Sequence, residues 1–123
     1  MKIIIADDEF ANRLLVSEVV RNLGHELIEA ENGEEAYKTV QKSSDIDLIL
    51  MDIEMPVMNG VDAAILIRKN LGHPKNKIPI IAMTGYGPDE INEYSDKPEF
   101  DSFLIKPYTV DTLTRLIKCF DEK

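Results

Sequence analysis

The sequence has few of the features that mark secreted or membrane-bound proteins. Its 123 residues include no tryptophan and a single cysteine, Cys119, so an intrachain disulfide is excluded and a reducing cytoplasm is the expected compartment. No apolar run is long enough to cross a membrane, and the first one leads directly into Asp7 and Asp8, unlike a signal peptide. We therefore expect a cytoplasmic protein with no membrane partner.

Positive charge is also scarce. The chain has 14 lysines and arginines against 23 aspartates and glutamates, which gives a net charge of −9. A surface this acidic repels phosphate backbones, so direct binding of nucleic acid is not expected. With 44% hydrophobic and 30% charged residues, the composition is that of one globular domain with a real core.

Apolar, β-branched runs alternate along the chain with segments of helical periodicity. Five runs predict strands, at residues 3–6, 25–30, 46–51, 78–83 and 102–105; the first is apolar enough to be buried on both faces, and the second is the weaker signal. Apolar residues at helical spacing predict helices between and after them, and Gly24, Asn32 and Thr109 stand where helices should end or begin. This alternation predicts right-handed βαβ units and a doubly wound, five-stranded parallel sheet in a single α/β domain, residues 1–123.

Polar side chains stand where the predicted strands end. Asp7 and Asp8 follow the first strand, Asp52 the third, Thr84 the fourth and Lys106 the fifth. Ligands of open parallel sheets bind outside these carboxyl ends. Three close carboxylates repel one another unless a cation joins them, and hard oxygen ligands suit Mg²⁺, with Mn²⁺ as a substitute. We expect Asp52 to form an acyl phosphate there, with Lys106 and Thr84 contacting the phosphoryl oxygens.

Each of these residues has a simpler interpretation when taken alone. An aspartate pair after a strand is typical of a solvated turn or a helix cap, and a threonine before glycine is typical of a turn. A lysine before a proline is commonplace. Their joint occurrence, at the ends of four strands in one α/β pattern, is what favours a shared site.

At these residues the sequence resembles the receiver domains of two-component response regulators, of the chemotaxis type, over essentially the whole chain. The strongest match is residues 47–60, DLILMDIEMPVMNG, which resemble the phosphoacceptor strand and loop of that family. Four further segments match in order: IIADDE at 4–9, ENGEEA at 31–36, IIAMTG at 80–85 and FLIKP at 103–107. The resemblance implies a flavodoxin-like (βα)5 fold with strand order 2-1-3-4-5.

The resemblance also implies roles for the matched residues. Asp52 would accept a phosphoryl group from a phosphohistidine on a sensor histidine kinase or a histidine phosphotransfer protein. Asp8, Asp52 and the backbone carbonyl of Glu54 would ligate Mg²⁺, and Asp7 would act mainly through water. Lys106 would contact the phosphoryl group and precede a cis peptide at Pro107.

The same resemblance implies a switch. Thr84 would move toward the phosphoryl group and Phe103 would follow inward. The change would repack the surface formed by the fourth helix, the fifth strand and the fifth helix. The protein would then be a phosphoacceptor that catalyses its own phosphorylation and dephosphorylation, not an enzyme for an external substrate. No motif indicates its downstream target.

Several positions depart from the common receiver pattern. Glu54 adds a fourth carboxylate, which we expect either to pair with Lys106 at rest or to repel an incoming phosphoryl group. Gly85 leaves room beside Thr84 for the inward motion, and Tyr86 is expected to shield the acyl phosphate from water. Two prolines in residues 88–100 predict a short or mobile fourth helix.

The sequence is also compatible with two other functions. Asp52 and Glu54, with Thr84 and Lys106, also resemble haloacid-dehalogenase phosphatases, although no cap insertion is evident and the Asp7–Asp8 pair fits a receiver better. A receiver fold that serves only as an unphosphorylated interaction module is the second alternative. The chain ends soon after its last predicted helix, so we expect a receiver with no output domain.

Overall fold

A computed structural model describes residues 1–85 and 98–122 of the chain. Five strands form one parallel sheet in the order β2-β1-β3-β4-β5, which confirms the predicted fold class. The elements are β1 (Lys2–Ala6), α1 (Phe10–Asn22), β2 (Glu26–Ala30), α2 (Gly33–Lys42), β3 (Leu48–Asp52), α3 (Gly60–Asn70), a 3₁₀ turn (Lys75–Lys77), β4 (Ile80–Thr84), β5 (Ser102–Ile105) and α4 (Val110–Asp121).

The sheet is covered by helices on both faces, because alternate residues of each strand enter two separate cores. One core joins β-strand residues such as Ile4 and Ile49 to Ala36 of α2 and Ile67 of α3. The other core, on the opposite face, joins the alternate strand residues to α1 and α4, and its fully buried members include Ile3, Leu50, Val16, Leu113 and Ile117. Continuous apolar runs in the strands are explained by this two-sided burial.

Local capping fixes where the helices begin and end. The side chain of Asn32 accepts a hydrogen bond from Glu35 N at 2.8 Å, and Thr109 Oγ1 accepts one from Thr112 N at 3.0 Å, as the sequence predicts. Asn59 caps α3 in the same way. Gly24, just after α1, has a φ of 85°, a left-handed conformation that favours glycine.

Some predicted details differ from the structure. β3 and β4 begin two residues later than expected, although Ile46 and Ile78 are still buried. Val110 is 51% exposed, because it is the first residue of α4 and lies beyond the core. The predicted fourth helix and its mobility lie largely outside the described residues. Within the described residues, no helix is long and apolar enough to cross a bilayer.

Candidate functional site

Asp52 is the last residue of β3, and its side chain is almost completely buried at 5% exposure. One carboxylate oxygen, Oδ1, accepts a hydrogen bond from Glu54 N at 3.1 Å. The other, Oδ2, lies 2.9 Å from Lys106 Nζ. Both oxygens of the predicted phosphoacceptor are thereby oriented by the loops that follow β3 and β5.

Asp7 shares the ammonium of Lys106 with Asp52. Its carboxylate is fully buried, with Oδ2 at 2.9 Å from Lys106 Nζ and Oδ1 accepting from Glu9 N at 2.9 Å. Lys106 is itself held at the end of β5, where its backbone N donates to Thr84 O at 2.7 Å. The peptide bond between Lys106 and Pro107 is cis, as the resemblance implies. The site thus joins residues that follow four different strands.

The electrostatic state of the site follows from burial and from the shared lysine. Burial raises the pKa of Asp52 to about 6 from 3.8, although the hydrogen bond and charge of Lys106 oppose this rise. Burial alone would lower the pKa of Lys106, but its hydrogen bonds and charge interactions with Asp7 and Asp52 outweigh that effect and raise it. Two buried carboxylates and one ammonium leave a net negative charge, which favours a further cation.

Three carboxylates of the site lie close enough together to hold a cation. Asp7, Asp8 and Asp52 each offer an oxygen, and these oxygens all lie within 4.8 Å of one another. Asp7 and Asp52 are buried and held by hydrogen bonds, whereas Asp8 is exposed. Such an all-oxygen set, open to water on one side, fits Mg²⁺ better than a softer metal.

Asp8 and Asp52 line a cavity of about 630 Å³, whereas the fully buried Asp7 does not. This volume is large enough for a phosphoryl group together with the side chain that delivers it. Its lining consists of Asp8, Glu9, Asp52, Ile53, Glu54, Met55, Pro56, Asn59, Val61, Gly85 and Lys106. The predicted acceptor Asp52, the predicted metal residues Asp8 and Glu54, and Lys106 therefore line one cavity at the carboxyl edge of the sheet.

The two predicted switch residues occupy neighbouring strands. Thr84 ends β4 and is 1% exposed. Phe103 of β5 is half-buried, and its ring packs edge-to-face on Phe100, with 5.9 Å between the ring centroids. A Cβ atom at Gly85 would contact no described residue within 4 Å, its chain neighbours aside.

Two expectations about modulating residues have different outcomes. Glu54 lines the cavity and is exposed, but Lys106 is paired with Asp7 and Asp52, and no ion pair joins it to Glu54 within the described residues. The expectation of a resting Glu54–Lys106 pair is wrong, because the two buried aspartates are the nearer partners. Tyr86 lies outside the described residues.

Sequence reasoning missed two side chains next to the site. Arg13 of α1 is buried, and its Nη1 donates to Asp7 O at 2.8 Å. Arg13 lies three residues before Val16 and seven before Val20, a spacing that places it on the inward face of the helix. That spacing could have predicted its burial. Tyr108 follows the cis proline, and its hydroxyl oxygen is buried with no hydrogen-bond partner among the described residues.

A doubly wound parallel sheet with an acidic pair, an aspartate, a threonine and a lysine at its strand ends defines the receiver class of signalling domains. A family model described as the response regulator receiver domain matches residues 3–118. This chain belongs to that family. It is a receiver domain of two-component signal transduction.

Curated and solved proteins agree with this assignment. The chain is 31% identical over 117 residues to the sporulation initiation phosphotransferase F of Bacillus subtilis, and the match covers 95% of this chain and 90% of that protein. It is also similar to the response regulator TrrA of Thermotoga maritima, solved in complex with Mg²⁺ and BeF, with 34% identity, a TM-score of 0.79 and 97% of each chain covered.

Longer proteins also contain similar segments. The chain is 35% identical over 112 residues to the CAI-1 autoinducer sensor kinase/phosphatase CqsS of Vibrio cholerae. That match covers 91% of this chain but 16% of the kinase, so the chain spans about a sixth of that relative's length. The activities of the complete sensor kinase are therefore not carried over to this chain.

Proposed function

We propose that Asp52 is the phosphoacceptor of this receiver domain. The single observation that carries the proposal is the arrangement of its buried carboxylate, which faces the cavity and shares the Lys106 ammonium with Asp7. An isolated buried carboxylate is costly, and a structural one would be expected to lie in a closed environment. Here the carboxylate lines an open cavity that a phosphoryl group can enter.

The proposed reaction is a single phosphoryl transfer. An Asp52 oxygen attacks the phosphorus of a phosphohistidine on a sensor histidine kinase or a histidine phosphotransfer protein. The new P–O bond forms as the P–N bond breaks, and the electron pair of that bond leaves with the imidazole. Lys106 then contacts a phosphoryl oxygen, and its positive charge offsets the charge of the product.

Asp8 and Asp52, with the Glu54 carbonyl, are the proposed ligands of Mg²⁺, and Asp7 acts mainly through water. A bound Mg²⁺ supplies neutralisation of the phosphoryl oxygens' charge. The chain's own contribution is to hold two carboxylates buried and one exposed within reach of each other. Mn²⁺ prefers a similar set of oxygen ligands and is expected to substitute.

The output of the proposed switch involves Thr84 and Phe103. The Thr84 hydroxyl moves to the phosphoryl group, and Phe103 moves into the space beside Gly85. Because Phe103 packs on Phe100 and on the core beneath α3, its movement alters the outer surface of β5. Water attack on the acyl phosphate returns the switch to its resting state, so no external substrate is turned over.

The test is an intact-mass measurement after incubation with acetyl phosphate and Mg²⁺. The wild-type chain is expected to gain one phosphoryl group, with no gain when Mg²⁺ is chelated. The Asp52→Asn variant is expected to gain none. A matched control is Asp45→Asn, since Asp45 is an exposed carboxylate paired with Lys2 that precedes β3, whereas Asp52 is at the other end of that strand.

Three results would contradict the proposal. Uptake by the Asp52→Asn variant would place the acceptor elsewhere. Sustained release of phosphate from small phosphomonoesters would favour a phosphatase. Wild-type protein that gains nothing from either acetyl phosphate or a phosphorylated histidine phosphotransfer protein, and does not bind Mg²⁺, would favour an unphosphorylated interaction module.

A further inference from the structure

Arg13 connects the main chain of the acidic loop to the neighbouring strand. Its side chain is 10% exposed, and Nη1 donates to the backbone oxygen of Asp7 at 2.8 Å. On the other side, Asp7 N donates to Ala30 O at 3.0 Å. Both polar groups of the Asp7 main chain are therefore bonded, one to β2 and one to the guanidinium.

The same guanidinium is neutralised by two glutamates. Nε lies 3.2 Å from Glu29 Oε1 on β2, and Nη2 lies 3.6 Å from Glu31 Oε1 just after that strand. The ring of Phe10 lies 5.8 Å from the guanidinium carbon and covers it from one side. The planar guanidinium group of Arg13 has a partner at each of its three nitrogens, so it has little rotational freedom.

The two glutamates also offset the charge that Arg13 brings close to the proposed metal site. A buried positive charge beside the three carboxylates would by itself repel a divalent cation. Glu29 and Glu31 together carry two negative charges against the single positive charge of Arg13. The guanidinium can therefore donate to the Asp7 carbonyl without adding net positive charge near the metal site. An apolar side chain of similar length would fill the space but could not bond the Asp7 carbonyl.

We propose that Arg13 is a positioning residue for the divalent cation: by fixing the Asp7 main chain, it holds the Asp7–Asp8–Glu9 loop in the conformation that brings the carboxylates of Asp7 and Asp8 together with that of Asp52. The proposal rests on the function proposed above, because it assigns a residue to the same Mg²⁺ site. Arg13 does not contact the ion and acts only through the loop.

The experiment measures Mg²⁺ affinity, by calorimetry or by the amide signals of residues 7–9, in folded protein without phosphodonor. Partners of metal ligands typically contribute tenfold or more to affinity, so Arg13→Met is expected to raise the Kd for Mg²⁺ by about tenfold. Arg13→Lys, whose ammonium can reach the carbonyl but cannot also span both glutamates, is expected to fall between Arg13→Met and the wild type. The Glu9 amide, bonded to Asp7 Oδ1, is expected to exchange faster in Arg13→Met.

Arg68 supplies a matched control at the opposite edge of the sheet. Like Arg13 it is a helical arginine that donates to the main chain, although it is half-buried where Arg13 is buried. Its acceptors are the backbone oxygens of Asn76, Ile78 and Glu99, before β4 and β5. Arg68→Met is expected to lose stability while keeping the wild-type Kd for Mg²⁺. A purely structural role for Arg13 would make the two methionine variants alike.

The outcomes separate the two proposals. If the wild type binds Mg²⁺ and Arg13→Met binds it equally well, the role of Arg13 is overturned and the phosphoacceptor proposal stands. If the wild type binds no Mg²⁺, both are overturned. If Arg13→Met does not fold, Arg13→Lys decides, and a Kd equal to that of the wild type would overturn the inference.

Discussion

A Cβ atom at Gly60 would lie 2.2 Å from the backbone oxygen of Asp52, closer than real Cβ atoms approach any neighbour. The first turn of α3 therefore packs directly on the end of β3. Gly60 N also donates to Ile53 O at 2.9 Å, which ties the same turn to the loop beyond Asp52. The position of the proposed acceptor depends on the absence of a side chain at residue 60.

Gly60→Ala is accordingly expected to reduce both stability and phosphorylation. Overpacking of this kind typically costs about 1–3 kcal/mol, and the shift of β3 needed to relieve it moves Asp52 relative to Lys106. Urea unfolding and phosphoryl uptake measure the two effects. Gly72→Ala is the control, because a Cβ there meets nothing within 4 Å, and it should unfold at the wild-type urea concentration or higher. Equal stability of the two variants would contradict the packing argument.

The raised pKa of Asp52 predicts a specific pH dependence of stability. The folded state holds this proton up to about pH 6, whereas the unfolded state releases it near 3.8. The stabilising contribution of the protonated form is therefore complete below 3.8 and is lost as pH rises through 6. In metal-free buffer, Asp52→Asn should become more stable relative to the wild type over this interval.

Chemical unfolding of both proteins between pH 3.5 and 7.5 would measure that difference. Asp45→Asn, at an exposed carboxylate, is not expected to show it. Mg²⁺ at neutral pH should stabilise the wild type and have a much smaller effect on Asp52→Asn. A stability difference that stays constant with pH would mean that Asp52 titrates alike in both states.

The backbone conformation of Val57 is expected to be strained, and a substitution at this position should relieve the strain. It lies in the loop after β3 with a φ of 68°, a left-handed conformation that is unfavourable for a β-branched residue, and it is 78% exposed. Left-handed backbone costs roughly 1–2 kcal/mol for ordinary residues, and asparagine tolerates it better. Val57→Asn should therefore raise the free energy of unfolding. Val110→Asn, at an exposed valine with helical backbone, should not, and equal effects would exclude backbone strain as the cause.

Tyr108→Phe tests the buried hydroxyl beside Lys106. The hydroxyl has no hydrogen-bond partner among the described residues, and a buried unpaired polar group typically costs about 1–3 kcal/mol. The phenylalanine variant should therefore be at least as stable as the wild type near neutral pH. Clear destabilisation would mean that the hydroxyl is satisfied by water.

The pH dependence of stability above pH 10 gives a second test of the Tyr108→Phe variant. Burial raises the pKa of Tyr108 to about 12 from 10.0. The stabilising contribution of the protonated phenol is complete below 10 and is lost as pH rises through 12. The phenylalanine variant should lose less stability than the wild type over that range.

The strands and the site were largely predictable because their signals are local. Apart from β2, which contains two glutamates, each strand is a short, mainly apolar run with a polar residue at or just after its end, as at Ala6–Asp7 and Ile105–Lys106. The parallel arrangement brings those ends to one edge. The side chain of Thr109 likewise marks the start of α4 without reference to the rest of the fold.

The missed features depend on contacts between distant segments. The direction of the Arg13 side chain is set by Asp7 and by Glu29 on the adjacent strand, and nothing in the local pattern separates it from an exposed arginine such as Arg21 except its phase on the helix. The preference of Lys106 for Asp7 over Glu54 depends on which carboxylate is buried. Burial of a particular oxygen is a property of the packed structure, so the sequence alone could not decide it.

Asp7 and Lys106 are separated by 99 positions in the chain, yet their side chains meet at 2.9 Å. The ammonium reaches the acidic residues only after the last strand has joined the sheet. A chain that has formed β1 to β4 but not β5 has its carboxylates without the charge that balances them. The charge balance of the acidic cluster therefore depends on a residue supplied by the last strand of the chain.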